Sequence, residues 1–550
     1  MSKYGIKIKN YEAASLYECY WGFRQYPDTE NAMLSNSLFK DFLIEQGMEV
    51  RKDGSSRDII CLAFSYKTKG YDELIEKVPK LFTEDVAAKI LANIEQNADK
   101  CIEIKKERLR EMAYEDGVSI HYKDTIIHYK MLYRTPGKAK KGTCMFIRDS
   151  LYDKAHEFLT MGIQLPETNA PIIQLGAYQS LITSGTVGTI EIDPDQILIL
   201  DDVNSVMTAP AITIELNDEK HCIAQKRDSY KMKNCIFDGQ ALIDMSIFPQ
   251  WADGYILLRN HMTKCAAFNT NIELFMREHF GADYDTATVK DMWGRDIKVS
   301  NIKLIGTASI CKWLNFDISF DYWSSWVRKN HNRWGIVKTT HESKLGDVQR
   351  MSYQMINALD LATMPEVTSR SVNYIDKLKK DNKVFLDYLR KNVNFANDYD
   401  VLVALVEHNP DFVYSSYFRD RKRKIIEGYI LNFKSGRVVQ NADNLTIVGS
   451  PYAMLLHSIG ENPEDDPTFN VEDGAIQCWT ERFRDNEYLA EFRSPFNSRG
   501  NLGHLHNRYH QFFDRYFRLG KLCIAVNMIK TCFQDRNNGL IHRASVQKCA

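Results

Sequence analysis

The chain lacks any paired-cysteine motif. Its 12 cysteines are scattered, with no C-x-x-C spacing and no close Cys/His cluster. That argues against a structural zinc site and against a disulfide-built scaffold, and it fits a reducing, cytoplasmic setting. Cys265, Cys311, Cys523 and Cys532 stand among apolar neighbours, where a thiol serves as a small hydrophobe. Long apolar runs are missing too: nothing approaches the ~18–20 residues that cross a bilayer. The opening MSKYGIKIKN has no apolar core of a signal peptide, so no membrane partner is expected. An excess of one charge is also absent. The 71 basic and 72 acidic residues leave a formal charge of −1, so any surface for a polyanion must concentrate its cations locally.

Several chemistries are excluded in the same way. There is no P-loop, G-x-S-x-G, H-E-x-x-H or Rossmann glycine pattern. Nowhere do three aspartates alternate with small residues in a tight turn, as two-metal phosphoryl transfer requires. Asp193, Asp195, Asp201 and Asp202 read as a turn and a strand end, and Asp465 and Asp466 as a solvated loop. No metal ligands are assigned.

What is present is a chain able to bury several cores, with 44% apolar and 11% aromatic residues over 550 positions. At about 150 residues per domain, three or four domains are expected. Residues 1–165 read as a mixed helix and strand region. A long amphipathic helix is expected over 83–114, with Thr83 as its cap and Glu84 and Asp85 at the positive end of its dipole. Strands at 125–128 and 144–147 flank a basic loop, 133–142. Residues 166–345 read as mostly β, with short apolar runs at 196–200 and 212–216. Residues 346–436 turn helical: Met355, Leu359 and Leu361, then Ile375, Leu378, Phe385, Leu386 and Leu389, recur at helix spacing. Residues 437–550 return to strands, such as 445–448, interrupted by an acidic loop at 461–466. An apolar segment at 522–533 is followed by 540–550, which has no clear periodicity. The fold class expected is α+β.

The candidate chemistry lies in cations. In Gly254-Tyr-Ile-Leu-Leu-Arg-Asn-His-Met-Thr-Lys264 an apolar strand ends in Arg259 and Lys264, with Lys303 and Lys312 downstream. Fixed cations at a strand end suit phosphate or developing negative charge, although cations also end strands simply by pointing to solvent. Near the C-terminus, Glu491-Phe-Arg-Ser-Pro-Phe-Asn-Ser-Arg499 opens a strand into a loop bearing Arg493 and Arg499, a pattern suited to phosphate oxygens or to an ordinary surface loop. Three further clusters suit a nucleic-acid backbone: Arg134/Lys138/Lys140/Lys141, Arg328/Lys329/Arg333, and Arg419 to Lys424. The second is interleaved with Trp323, Trp326 and Trp334, which serve either as stacking platforms or as core. His341-Glu-Ser-Lys-Leu-Gly346 is polar enough for a functional loop.

Taken in order, these patches make the chain similar to the RNA-silencing type of RNA-dependent RNA polymerase and its single-chain phage relatives. That family carries a Phe-x-Asp-Gly turn before strands bearing Arg and Lys; Phe237-Asp-Gly239 resembles it, one residue shorter. Arg259 and Lys264 match an Arg–Lys spacing found in two family segments, leaving open which of them this is. Arg493-Ser-Pro495 resembles the family's Arg-Asn-Pro loop, and Phe533-Gln-Asp-Arg-Asn-Asn-Gly539 the run before its Asp-x-Asp-Gly-Asp metal loop. The next residues are Leu540-Ile-His-Arg543, with no aspartate.

The resemblance implies two double-psi β-barrel regions around the helical insertion. It implies nucleotidyl transfer from nucleoside triphosphates on a nucleic-acid template, with Lys264 and Arg259 at the reacting phosphates. It also implies Mg²⁺, whose ligands this chain does not supply. The expectation is therefore a polymerase-like protein, truncated and inactive as written. The alternatives are a non-catalytic nucleic-acid-binding protein of a phage or mobile element, or a structural protein.

Overall fold

The computed structural model describes residues 5–20, 22–23, 32–122, 125–134, 143–167, 170–219, 221–341, 349–350, 360–393, 397–440, 442–468, 471–472, 475–493, 502–526 and 543–548. The chain divides into two compact units. Unit 1 holds Met1–Pro194, Leu257–Cys265 and Cys311–Lys338; unit 2 holds Asp195–Ile256, Ala266–Ile310 and Thr339–Ala550. Helices and sheets are mixed in both, an α+β protein as expected. Among the described residues no helix is long and apolar enough to cross a membrane.

Unit 1 begins with a six-stranded sheet. Its strands are β1 (Ile6–Glu12), β2 (Ala32–Ser35), β3 (Ser55–Ala63), β4 (Val118–Tyr122), β5 (Thr125–Arg134) and β6 (Cys144–Arg148), in the order β2-β1-β3-β6-β5-β4. Only β1 and β3 run parallel. Tyr11, Leu16, Ile60, Leu62, Leu109 and Phe146 form the core beneath it.

The long helix expected over 83–114 is two helices, Glu84–Gln96 and Lys106–Asp116. Asn97 ends the first, its side-chain amide donating to the Asn93 carbonyl at 3.0 Å. Thr68 then draws the chain away from helix: its hydroxyl donates to the Ile102 carbonyl at 2.9 Å and accepts from the Ile104 N–H at 2.7 Å. These tertiary bonds override the local periodicity. Thr83 does precede the first helix, but through its backbone carbonyl, without a side-chain cap.

In unit 2, β8 (Ile197–Leu200) pairs parallel with β16 (Leu304–Thr307). That strand pairs antiparallel with β11 (Gln240–Asp244), whose other edge runs parallel to residues 266–270 of β13 (Thr263–Thr270). The Phe237-Asp-Gly239 turn enters β11 under the hydroxyl of Ser309, which accepts from the Gly239 N–H at 3.0 Å. Asp202 holds Ser309 in turn, accepting its N–H at 3.0 Å. A ribbon of β9 (Asn204–Leu216) and β10 (Cys222–Cys235) leaves Ile212, Ile214 and Leu216 exposed, so the apolar run at 212–216 is not core.

The helical segment is as the periodicity predicts from 364 to 434, but Leu361 lies exposed in a short turn ahead of the first helix instead of on its buried face. Helices Met364–Lys380, Asn382–Asn392, Tyr399–His408 and Ser416–Lys434 enclose Ile375, Leu378, Phe385, Leu386 and Leu389. Met355 and Leu359 lie outside the described residues.

Six strands then close a ring. They are β20 (Ala442–Gly449), β22 (Ala475–Trp479), β23 (Tyr488–Arg493), β24 (Leu502–Asn507), β25 (Cys523–Val526) and β26 (Arg543–Lys548), in the cyclic order β22-β24-β23-β26-β20-β25. The β22–β25 pairing completes it. Leu445, Cys478, Leu489, Leu505, Ile524 and Val526 pack together.

Two expectations change in this region. Residues 543–548 lack strong periodicity yet form a strand, because β20 and β23 satisfy their backbone from both sides. Asp466 is fully buried rather than solvated. It accepts from the Ser450 hydroxyl and from the Thr468 N–H at 2.9 Å, bonds that replace its water shell.

Candidate functional site: a cation-bearing turn

The strand β12 (Tyr255–Asn260) neighbours β13, and His261-Met262 is the turn between them. Its geometry follows from a few buried polar groups. The Asn260 side chain accepts from the His261 N–H at 2.6 Å and donates to the Arg333 carbonyl at 3.1 Å. The His261 carbonyl accepts twice, from the Thr263 hydroxyl at 3.0 Å and the Trp323 indole at 2.9 Å. Met262 takes a left-handed φ of 43°, and its carbonyl accepts from the Lys312 N–H at 2.9 Å. Thr263 bridges to Cys311. Asn260, His261, Met262 and Thr263 are all buried, so the turn is a fixed support rather than a flexible loop.

Three of the cations singled out in the sequence are carried on this support. Arg259 and Lys264 flank the buried stretch Asn260–Thr263 directly, and Lys312 follows the strand bridge. All three are half-buried. Arg259 donates to the Leu258 carbonyl at 2.8 Å, and among the described residues no carboxylate pairs with it. Burial lowers its pKa, opposed by the neighbouring Cys265 thiol. A guanidinium does not shed its proton in a protein, so the charge stays, desolvated and without a counter-ion among the described residues. An incoming anion with two oxygens would match its fork of donors.

No protein-family model matches the chain, and no curated protein matches it. Among solved structures it is similar to the RNA dependent RNA polymerase QDE-1 from Thielavia terrestris, with a TM-score of 0.54 and 11% sequence identity. The fold is RNA-dependent RNA polymerase-like. The match covers 100% of this chain and 54% of that one, so the chain spans about half its neighbour's length.

Within this polymerase-like fold the other candidates differ in setting. Lys303 is engaged, donating to Asp244 at 3.3 Å and to the Ser246 hydroxyl at 2.9 Å. Arg134 ends β5, exposed, its charge favoured by a hydrogen bond with Tyr114. Arg493 ends β23 with its backbone paired to Ala544, while its side chain lies outside the described residues. Lys138, Arg499 and residues 342–346 and 533–539 lie outside them entirely. Trp323, Trp326 and Trp334 are buried, so they are core and not a stacking surface. The cations among them are occupied: Arg328 meets Asp193 at 3.4 Å, Arg333 meets Glu45 at 2.7 Å, and Lys329 lies 4.1 Å from the Trp326 ring centre.

Sequence reading missed His261, whose only signal was a histidine between an apolar strand and a cation. It packs edge-on to Phe158 at 4.5 Å, and among the described residues neither ring nitrogen has a hydrogen-bond partner. Burial, reinforced by Lys329, drops its pKa from 6.5 to about 3. The folded chain therefore refuses a proton that the unfolded chain takes up near pH 6.5, so stability falls as pH drops from there toward 3. Urea unfolding at pH 5 should show about 2 kcal/mol less stability from this residue than at pH 7. His261→Leu should remove that share of the slope; an unchanged slope would place the imidazole in contact with water.

Proposed function

We propose that the chain is a nucleic-acid polymerase-like protein that holds the phosphates of nucleoside triphosphates or of a nucleic-acid strand at the Arg259 turn. The observation that carries this reading is the fold likeness, along the whole chain, to an enzyme named for copying RNA. Arg259 ties it to a residue, as a desolvated guanidinium without a carboxylate among the described residues. In the reading, Arg259 grips two phosphate oxygens, while Lys264 and Lys312 add point charges that lower the cost of bringing anions together. The closed six-stranded ring of unit 2 is taken as the second double-psi barrel.

Nucleotidyl transfer of this type uses Mg²⁺, which polarises and bridges phosphate oxygens. Among the described residues no three histidine, cysteine or carboxylate groups converge to hold a metal. The described side chains do not fit such an ion, and no step of the reading runs through one.

The test is binding of a labelled nucleoside triphosphate and of a labelled 12-nucleotide RNA. Arg259→Ala should weaken one or both by roughly 10- to 100-fold, the value of a charge-assisted bidentate contact. Arg259→Lys should recover only part, because an ammonium lacks the fork. Affinities equal to the parent chain would remove the turn from the site. Binding without template-directed incorporation at any Mg²⁺ concentration would leave a non-catalytic nucleic-acid-binding protein.

A further inference from the structure

The helical segment of unit 2 carries a second cationic feature, separate from the turn. Helix Ser416–Lys434 places Arg419, Lys422 and Arg423 at i, i+3 and i+4, on one face. That face lines a groove of about 660 Å³ with Lys379 and Lys380, from the end of helix Met364–Lys380. Among the described residues, five cations line the groove against one carboxylate, Glu427.

Their partners show how much of this charge is unneutralised. Lys422 donates to the Lys379 carbonyl at 3.0 Å and to the Asn382 side chain at 2.8 Å, both neutral acceptors. Lys380 meets Asp376 at 2.7 Å and Arg423 meets Asp420 at 3.1 Å, in exposed pairs that solvent and salt weaken. Among the described residues no carboxylate lies within ion-pair distance of Lys379, Arg419 or Lys422, and Asp381 favours the Lys422 charge only from farther off, against the larger effect of burial. Like charges three and four residues apart on a helix repel, so this face is built at a cost that an external polyanion would recover. Tyr414 also lines the groove and is 66% exposed, an aromatic ring open beside the cations. Rings beside a cationic track favour unpaired bases over a duplex.

We propose that this groove binds the phosphodiester backbone of single-stranded nucleic acid, with Tyr414 stacking on a base. The proposal stands on the helical segment and does not rest on the Arg259 turn.

The test uses the full chain and a fluorescein-labelled 12-nucleotide single-stranded RNA, titrated by anisotropy at several salt concentrations. Lys379 and Arg419 are both exposed, so Lys379→Ala/Arg419→Ala should leave the fold unchanged, checked by the same melting curve. Two lost phosphate contacts should flatten the log–log salt slope by about 1.4 and weaken binding roughly ten-fold or more at low salt. Tyr414→Ala should weaken binding about ten-fold without changing the slope.

An unaltered slope and affinity in the double variant would overturn the proposal. So would a 12-base-pair duplex that competes as well as the single strand. Polyglutamate competing equally, with Tyr414→Ala silent, would assign the groove to an acidic protein instead. Loss of binding in Arg259→Ala but not in the groove variants would overturn the groove alone. The reverse would support the groove, and would overturn the turn only if Arg259→Ala also left triphosphate binding unchanged.

Discussion

Gly254→Val should destabilise the protein by about 3–5 kcal/mol, a large part of the ~5–15 kcal/mol that holds a folded domain together. Gly254 has φ of +67°, a conformation costing a branched residue about 1–2 kcal/mol by itself. Space adds the rest. A Cβ there would lie 2.1 Å from the Leu519 carbonyl oxygen and 2.9 Å from the Cys523 sulfur. The first is backbone, fixed beside β25, and has no rotamer through which to retreat. Gly239 is the control: its φ of +71° is similar, but a Cβ there meets nothing within 4 Å among the described residues. Gly239→Ala should therefore cost about 1 kcal/mol, the conformational share alone. Guanidinium unfolding midpoints measure both. Equal losses at the two positions would mean that the 254 turn does not pack on residues 519–523.

Gln240→Leu should cost about 2–5 kcal/mol, through hydrogen bonding instead of volume. Gln240 is buried at the start of β11. Its amide donates to the Gly449 carbonyl at 3.0 Å, and its oxygen accepts the Gly449 N–H at 2.8 Å. One side chain thus satisfies both backbone groups at the end of β20. Leucine fills similar space and leaves both unpaired, each a buried polar group without water. Gln240→Glu should be no better, since a carboxylate has no proton for the Gly449 carbonyl. Near-parent stability of Gln240→Leu, read by the same midpoints, would show that water reaches Gly449.

The sequence made some parts of this molecule legible and hid others, for physical reasons. Ile375, Leu378, Phe385 and Leu389 announced their helices because burial on one face imposes a 3.6-residue period. Arg259 and Lys264 were legible as cations closing a strand, because an apolar run that ends in charge is a local pattern. Their support was not. Asn260 and His261 matter through bonds to Arg333 and Trp323, more than sixty residues away. Asp466 looked solvated because nothing nearby in sequence reveals its partner Ser450. The strand at 543–548 escaped notice because its pairing comes from β20 and β23, not from its own side chains. Long-range hydrogen bonding leaves little trace in local composition, and it fixes both the turn and the closing strand.

The most direct measurement is arginine-specific modification with phenylglyoxal, read by peptide mass spectrometry with and without a nucleoside triphosphate. If the Arg259 guanidinium holds phosphate, the nucleotide should shield it from the reagent, while exposed arginines on other elements, such as Arg108 on helix Lys106–Asp116, react as before. Arg259 labelled to the same extent at saturating nucleotide would show that the turn is not where phosphate binds.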